Sequence, residues 1–307
     1  MDFIRPRPLA PGETIGVVAP SSAVADGTER LEAGLAALEQ LGFRVRKGRH
    51  LHDEWLGLAG SHQDRADDFN AMLRDPEVRM VMAAQGGFGC LAIVGRLDYT
   101  ALRRDPKWVT DMSDLTVFLN ALTAQSGVET LHGPDVMYSF GDPATRAVEL
   151  PWFMQAMRAC GPCGPLPDRG EGVRVLRKGE GRGRLWGGTI SVFGHLMATR
   201  WAPDLRGAVI VLEGVGLTAA NIHRWLQTLR LQGWLGGLQG MVLGTWADCF
   251  KGERNAQSLL EDLVLDACAG TDFPIIQLDC IGHEMPNAPW AVGSMAEVSA
   301  AGPTLLR

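Results

Sequence analysis

From residue 14 to residue 133, short buried apolar runs alternate with amphipathic helical segments, and that pattern leaves few folds open. Thr14-Ile-Gly-Val-Val-Ala-Pro reads as a strand that stops at Pro20 and two serines. Residues 28–42 carry Leu31, Leu35, Leu38 and Leu41 at helical spacing and close on Gly42. Residues 62–74 repeat the helical pattern with Ala66, Phe69 and Leu73 on one face. Val78–Ala84, Lys107–Thr110 and Glu129–Gly133 read as further strands, with a helix from Leu115 to about Gln125 between the last two. Strands separated by helices predict a mostly parallel sheet covered on both faces.

Periodicity weakens over residues 141–183, which are rich in Pro and Gly, apart from a short helical pattern near 150–159. This predicts a domain at 1–145, a linker at 146–183 and a second domain at 184–307. In the second domain, helices are expected at Gly188–Thr199, Ala219–Gln232 and Gln257–Cys268. Strands are expected at Gly207–Leu212, Leu238–Gly244 and Phe273–Cys280. Residues Trp290 to Leu306 read as a hairpin turning at Gly302-Pro303.

Composition narrows the function classes. A hydrophobic fraction of 46% and a charged fraction of 21% exclude a disordered chain. Lys+Arg is 29 against Asp+Glu 35, a net charge of −6, and there is no basic block to neutralise a run of phosphates. Nucleic acid is therefore not the expected partner. No stretch approaches the roughly 18 apolar residues of a membrane helix, and Met1 to Pro11 is not patterned as a secretory signal, so no membrane partner is expected. Of the six cysteines only Cys160 and Cys163 stand close, and their Cys-Gly-Pro-Cys segment reads as linker rather than a redox pair. No zinc spacing and no His-Glu-x-x-His occurs, so neither a metal nor another cofactor is expected.

Parallel sheets place ligands in the loops after the carboxyl ends of their strands. Gln85-Gly-Gly-Phe-Gly can bring backbone amides close to a ligand, or be a tight turn; the phosphate-loop signatures are absent. Asp111-Met-Ser-Asp sets Ser113 between a strand and a helix, the geometry of a nucleophile elbow, although a helix cap uses the same residues. Glu213 ends a buried strand and needs a partner, which a histidine or a helix cap would supply. His283 follows another strand, and six other histidines compete with it.

Taken together, these segments resemble the serine LD-carboxypeptidase family over residues 12–294. Gly12-Glu-Thr-Ile-Gly-Val-Val-Ala-Pro-Ser-Ser, Gly60-Ser-His-Gln-Asp-Arg and Gln85-Gly-Gly-Phe-Gly carry the resemblance in order, followed by Asp111-Met-Ser-Asp-Leu-Thr and Leu131-His-Gly-Pro. Gly187-Gly-Thr, Val211-Leu-Glu-Gly-Val-Gly and Gly282-His complete it. The resemblance implies a flavodoxin- or Rossmann-like N-terminal domain joined to a smaller swivelling α/β C-terminal domain, usually as a homodimer. It implies Ser113 as nucleophile, Glu213 and His283 as its partners, and the amides of Gly87 and Asp114 as the oxyanion hole, in a cleft between the domains. The implied substrate is a cytoplasmic murein tetrapeptide losing its terminal D-Ala during wall recycling. The alternatives are a microcin-C-type immunity peptidase acting on aminoacyl sulfamoyl adenylates, for which Trp186 is a conceivable base platform, and a non-catalytic peptide-binding relative. Gln85 replaces the family's Arg, Asp111-Met112 its Gly-Tyr, and Thr189 its Asn.

Overall fold

The structure is a computed structural model that describes residues 3–24, 27–158, 164–165 and 172–305. The chain divides into two compact units, one of residues 1–160 with 289–293, the other of residues 161–288 with 294–307.

The first unit is built on β1 (Thr14–Val18), β2 (Arg44–Lys47), β3 (Val78–Ala83), β4 (Trp108–Asp111) and β5 (Thr130–His132). They run parallel in the order β2-β1-β3-β4-β5, the flavodoxin-type order, and a strand at Trp290–Val292 adds antiparallel to β5. All five residues of β1 are buried, as a strand covered on both faces requires. β2 has one apolar residue in Arg-Val-Arg-Lys and is missed by an apolar-run reading. It lies at the sheet edge, where one bonded neighbour suffices and charges deter further pairing.

The helices of this unit are α1 (Thr28–Gln40), α2 (His62–Arg74), α3 (Cys90–Ile93), α4 (Tyr99–Arg104), α5 (Thr116–Ser126) and α6 (Pro143–Arg158). α1 buries Leu31, Leu35 and Leu38 against Ile15, Val17 and Met80 of the core. α2 starts on a capping box, with Ser61 accepting from the Asp64 amide while Asp64 accepts from the Ser61 amide. α5 stops at Gly127, whose φ of 69° suits a residue without a Cβ.

The second unit contains β6 (Gly164–Pro165), β7 (Arg174–Arg177), β8 (Gly181–Thr189), β9 (Ala208–Val215), β10 (Gly240–Ala247) and β11 (Ile275–Gln277). With β12, the Trp290–Val292 strand already placed in the first unit, the chain continues to β13 (Met295–Ser299) and β14 (Gly302–Leu305). The sheet order is β6-β14-β13-β8-β9-β10-β11-β7. The central four strands, β8 to β11, are parallel, and the flanking pairs are antiparallel. α7 (Ile190–Met197), α8 (Ala219–Leu231) and α9 (Ala256–Ala267) follow β8, β9 and β10 in the chain.

Three expectations change. Gly188 and Thr189 end a strand rather than start a helix, because β8 pairs residue by residue with β9 up to Thr189 opposite Glu213. A Cβ at Gly187 would lie 1.9 Å from the Val211 carbonyl oxygen, so this close strand approach selects glycine, and the glycines hide the strand from periodicity. The hairpin is made by β13 and β14, with Ser299 opposite Gly302, while Trp290 pairs with His132 in the first unit. Residues 146–158 are helical within α6, and 174–177 and 181–183 are in strands, so much of the stretch read as linker has regular structure. Cys160 and Cys163 lie outside the described residues.

Candidate active site

In the first unit the sheet's carboxyl edge carries Ser113. β4 ends at Asp111, Met112 is extended, and Ser113 has φ 56°, a left-handed conformation that a serine adopts at a cost of about 1–2 kcal/mol. A short 3₁₀ turn, Ser113–Leu115, leads directly into α5. The chain thus turns sharply from strand to helix with the serine at its apex, which is the elbow geometry.

The glycine loop after β3 packs on this turn. A Cβ at Gly86 would lie 2.7 Å from the Ser113 Cβ and 3.7 Å from the Asp114 amide nitrogen. Gly87 has φ 122°, and a Cβ there would meet the Ser22 hydroxyl at 2.0 Å. Glycine is needed at both positions, at Gly87 for conformation as well as space. Gln85 donates to the Ala23 carbonyl at 2.8 Å, so the residue that replaces the family's Arg ties the glycine loop to the loop after β1.

Behind the serine lies a buried polar cluster that a reading of isolated motifs does not find. The Asp114 carboxylate accepts from the Ser21 hydroxyl at 2.7 Å and from the Cys90 amide at 2.8 Å. Arg65, 1% exposed, donates to the carbonyls of Pro20 and Gly89. Burial pulls its guanidinium pKa down and pushes the Cys90 thiol well up, which leaves Cys90 protonated and unreactive. The signal available in the sequence was the Pro-Ser-Ser that ends β1.

Asp111 is wholly buried, accepts from the Met112 amide with Oδ1, and has no hydrogen-bond partner for Oδ2. Desolvation raises its pKa well above the ordinary carboxylate range, and the carboxylates of Asp135 and Asp114 add to the rise. The Met112 amide opposes it. Below the unfolded pKa, about 3.9, both states carry the proton. Above that value only the native state keeps it, so stability falls as pH rises, by up to about 1.4 kcal/mol per pH unit, until the native group also ionises. Asp111→Asn is expected to remove this slope. Denaturant unfolding of both proteins at a series of pH values checks it, and parallel stability curves would count against a raised Asp111 pKa.

In the second unit Glu213 and His283 come together. Glu213 lies in β9, two residues before its end, with 0% exposure. Its Oε2 accepts from His283 Nδ1 at 2.7 Å, and its Oε1 accepts from the Thr189 hydroxyl at 2.5 Å. Thr189 therefore supplies a hydrogen bond to the carboxylate although it departs from the family's Asn. Gly282, φ 122°, lets the chain pass close to that carboxylate, because a Cβ there would lie 3.0 Å from Glu213 Oε2. Asn287 accepts the Gly282 amide at 3.0 Å and steadies the His283 loop. A buried carboxylate on Nδ1 leaves Nε2 as the basic nitrogen. His195 and His223 lie in α7 and α8, and Trp186 is 4% exposed within β8, a packed side chain and a poor platform for a base.

Among the described residues, no group of three or more His, Cys, Asp or Glu side chains could hold a metal ion, and no helix is long and apolar enough to cross a membrane.

A serine at a strained turn beside a glycine loop, and a buried carboxylate bonded to an imidazole, are the groups from which serine hydrolases are built. The chain belongs to the LD-carboxypeptidase family: residues 15–133 match its N-terminal domain and residues 182–298 its C-terminal domain. It is 33% identical over 294 residues to a putative carboxypeptidase of Streptomyces coelicolor, covering 92% of this chain and 89% of that one. It is 29% identical over 305 residues to a probable murein peptide carboxypeptidase of Bacillus subtilis, covering 98% and 93%. Its fold matches that of the microcin C7 self-immunity protein MccF in complex with glutamyl sulfamoyl guanosine, with a TM-score of 0.89 at 20% identity, covering 98% and 97%.

Proposed function

We propose that the protein is a serine LD-carboxypeptidase that removes the terminal D-Ala from murein tetrapeptides. The reading extends to a homodimer acting in the cytoplasm during wall recycling. The observation that carries it is the left-handed Ser113 at the strand-to-helix turn with the glycine loop packed against it.

In this mechanism His283 Nε2, oriented by Glu213, takes the Ser113 proton as Oγ attacks the scissile carbonyl. The amides of Gly87 and Asp114 receive the oxyanion charge. His283 then gives its proton to the leaving D-Ala nitrogen as the C–N bond breaks. Water, deprotonated by His283, attacks the acyl-enzyme, and the proton returns to Ser113 as the ester bond breaks. The relative named a murein peptide carboxypeptidase supports the substrate class. The buried Trp186 offers no open ring for a nucleobase and disfavours the acyl-sulfamoyl nucleotide alternative.

The test is mass spectrometry of purified protein with L-Ala-γ-D-Glu-meso-diaminopimelate-D-Ala, together with fluorophosphonate labelling mapped by peptide digestion. The expected results are loss of one D-Ala and a single label on Ser113. Labelling without D-Ala release redirects the substrate, and no labelling sinks the serine mechanism.

A further inference from the structure

The two amides assigned to the oxyanion lie on different loops, one after β3 and one after β4. Preorganised donors act only if their spacing survives the reaction, so something must join these loops. The joint is the Asp114 side chain. Its Oδ2 accepts the amide of Cys90, the first residue after the glycine loop, at 2.8 Å. The same oxygen accepts the Ser21 hydroxyl at 2.7 Å.

Ser21 is fully buried and its hydroxyl also lies 3.2 Å from the Cys90 sulfur, so it reaches both sides of the joint. The next residue, Ser22, stands against Gly87, where an added Cβ would be 2.0 Å from its hydroxyl oxygen. Arg65 fixes the same segments from below through the carbonyls of Pro20 and Gly89. The loop after β1, which supplies no reacting group, is therefore built into the support of both donors.

We propose that Ser21 is a positioning residue for acyl transfer: its hydroxyl holds the Asp114 carboxylate, which locks the residue-114 amide and the glycine loop into one anion-binding surface. This rests on the serine-hydrolase reading above. Ser21 is 0% exposed and acts through Asp114, so its loss is expected to alter transition-state binding and spare ground-state binding.

The experiment compares wild type, Ser21→Ala, Asp114→Ala and the double variant in two assays: tetrapeptide kinetics and the rate of phosphonylation by a fluorophosphonate. In Ser21→Ala, kcat and phosphonylation are expected to slow together by about 10–100-fold with KM little changed. Because Ser21 acts through Asp114, the double variant is expected to be no slower than Asp114→Ala alone. An unchanged Ser21→Ala rate, a change confined to KM, or losses that multiply in the double variant overturn the proposal. If Ser21→Ala does not fold, Asp114→Ala decides the matter: it keeps its backbone amide but loses the accepting oxygen, and normal phosphonylation there also overturns the joint. A wild type that does not react at all overturns the hydrolase reading itself, a different result from equal reaction of wild type and Ser21→Ala.

Discussion

Ser113→Gly is expected to abolish turnover and at the same time make the protein more stable by about 1 kcal/mol. Both effects come from one backbone angle. Ser113 has φ 56°, a conformation that costs a residue with a Cβ and is nearly free for glycine. The turn cannot relax, because β4 pairs with β3 up to Thr110 and with β5 up to Asp111, and α5 begins at Thr116. The strain is thus held by the sheet, and in the proposed mechanism it presents the attacking hydroxyl. Urea unfolding gives the stability difference and the tetrapeptide assay the loss of activity. A glycine variant less stable than wild type would show that the Ser113 side chain contributes more to packing than the angle costs.

The second large effect is at Glu213. Glu213→Gln is expected to lower kcat by about 10⁴-fold with little change in KM, as when a buried carboxylate on a catalytic imidazole becomes an amide. The carboxylate accepts two hydrogen bonds, from His283 Nδ1 and from the Thr189 hydroxyl. An amide of the same shape has one acceptor oxygen and one donor nitrogen. Facing its NH₂ to His283 would place the Nδ1 lone pair inward and the proton on Nε2, the wrong tautomer for a base. Facing it to Thr189 preserves the His283 bond but turns the hydroxyl away from its acceptor, and it also removes the charge that stabilises an imidazolium. Steady-state kinetics check the loss, and nitrogen NMR of His283 in the resting variant reports the tautomer. A variant with near-normal kcat would remove Glu213 from the mechanism.

The placement of Ser113, Glu213 and His283 was legible in the sequence, because each follows a segment that reads as a strand. The chemistry assigned to them was not legible from local pattern. A serine before a helix is also a cap, a carboxylate after a strand is also a cap, and one histidine among seven has no local mark. The family resemblance narrowed these choices. The structure adds the pairing of Glu213 with His283 at 2.7 Å and the left-handed angle at Ser113.

Other features were hidden for identifiable reasons. β8, Gly-Arg-Gly-Arg-Leu-Trp-Gly-Gly-Thr, does not read as a strand, and its last two residues read as a helix start, because its glycines respond to neighbouring backbone rather than to a face of the sheet. β12 reads as part of a local hairpin, yet its partner is β5, well over a hundred residues earlier in the chain, and hydrogen bonding over that separation leaves no periodic trace. The support of Asp114 by Ser21 and Cys90 joins the ends of three segments that are near only after the sheet forms.

By itself the sequence determined the α/β class, the parallel sheet of the first unit and the loops in which polar chemistry could reside. Apolar runs of strand length and helices with one buried face carry that information within a few residues, through the cost of exposing apolar surface to water. Only the tertiary structure decided the conformation of Ser113, the raised pKa of buried Asp111 and the second hydrogen bond from Thr189 to Glu213. Those depend on desolvation and on contacts between residues distant in the chain, and neither exists until the sheets have assembled.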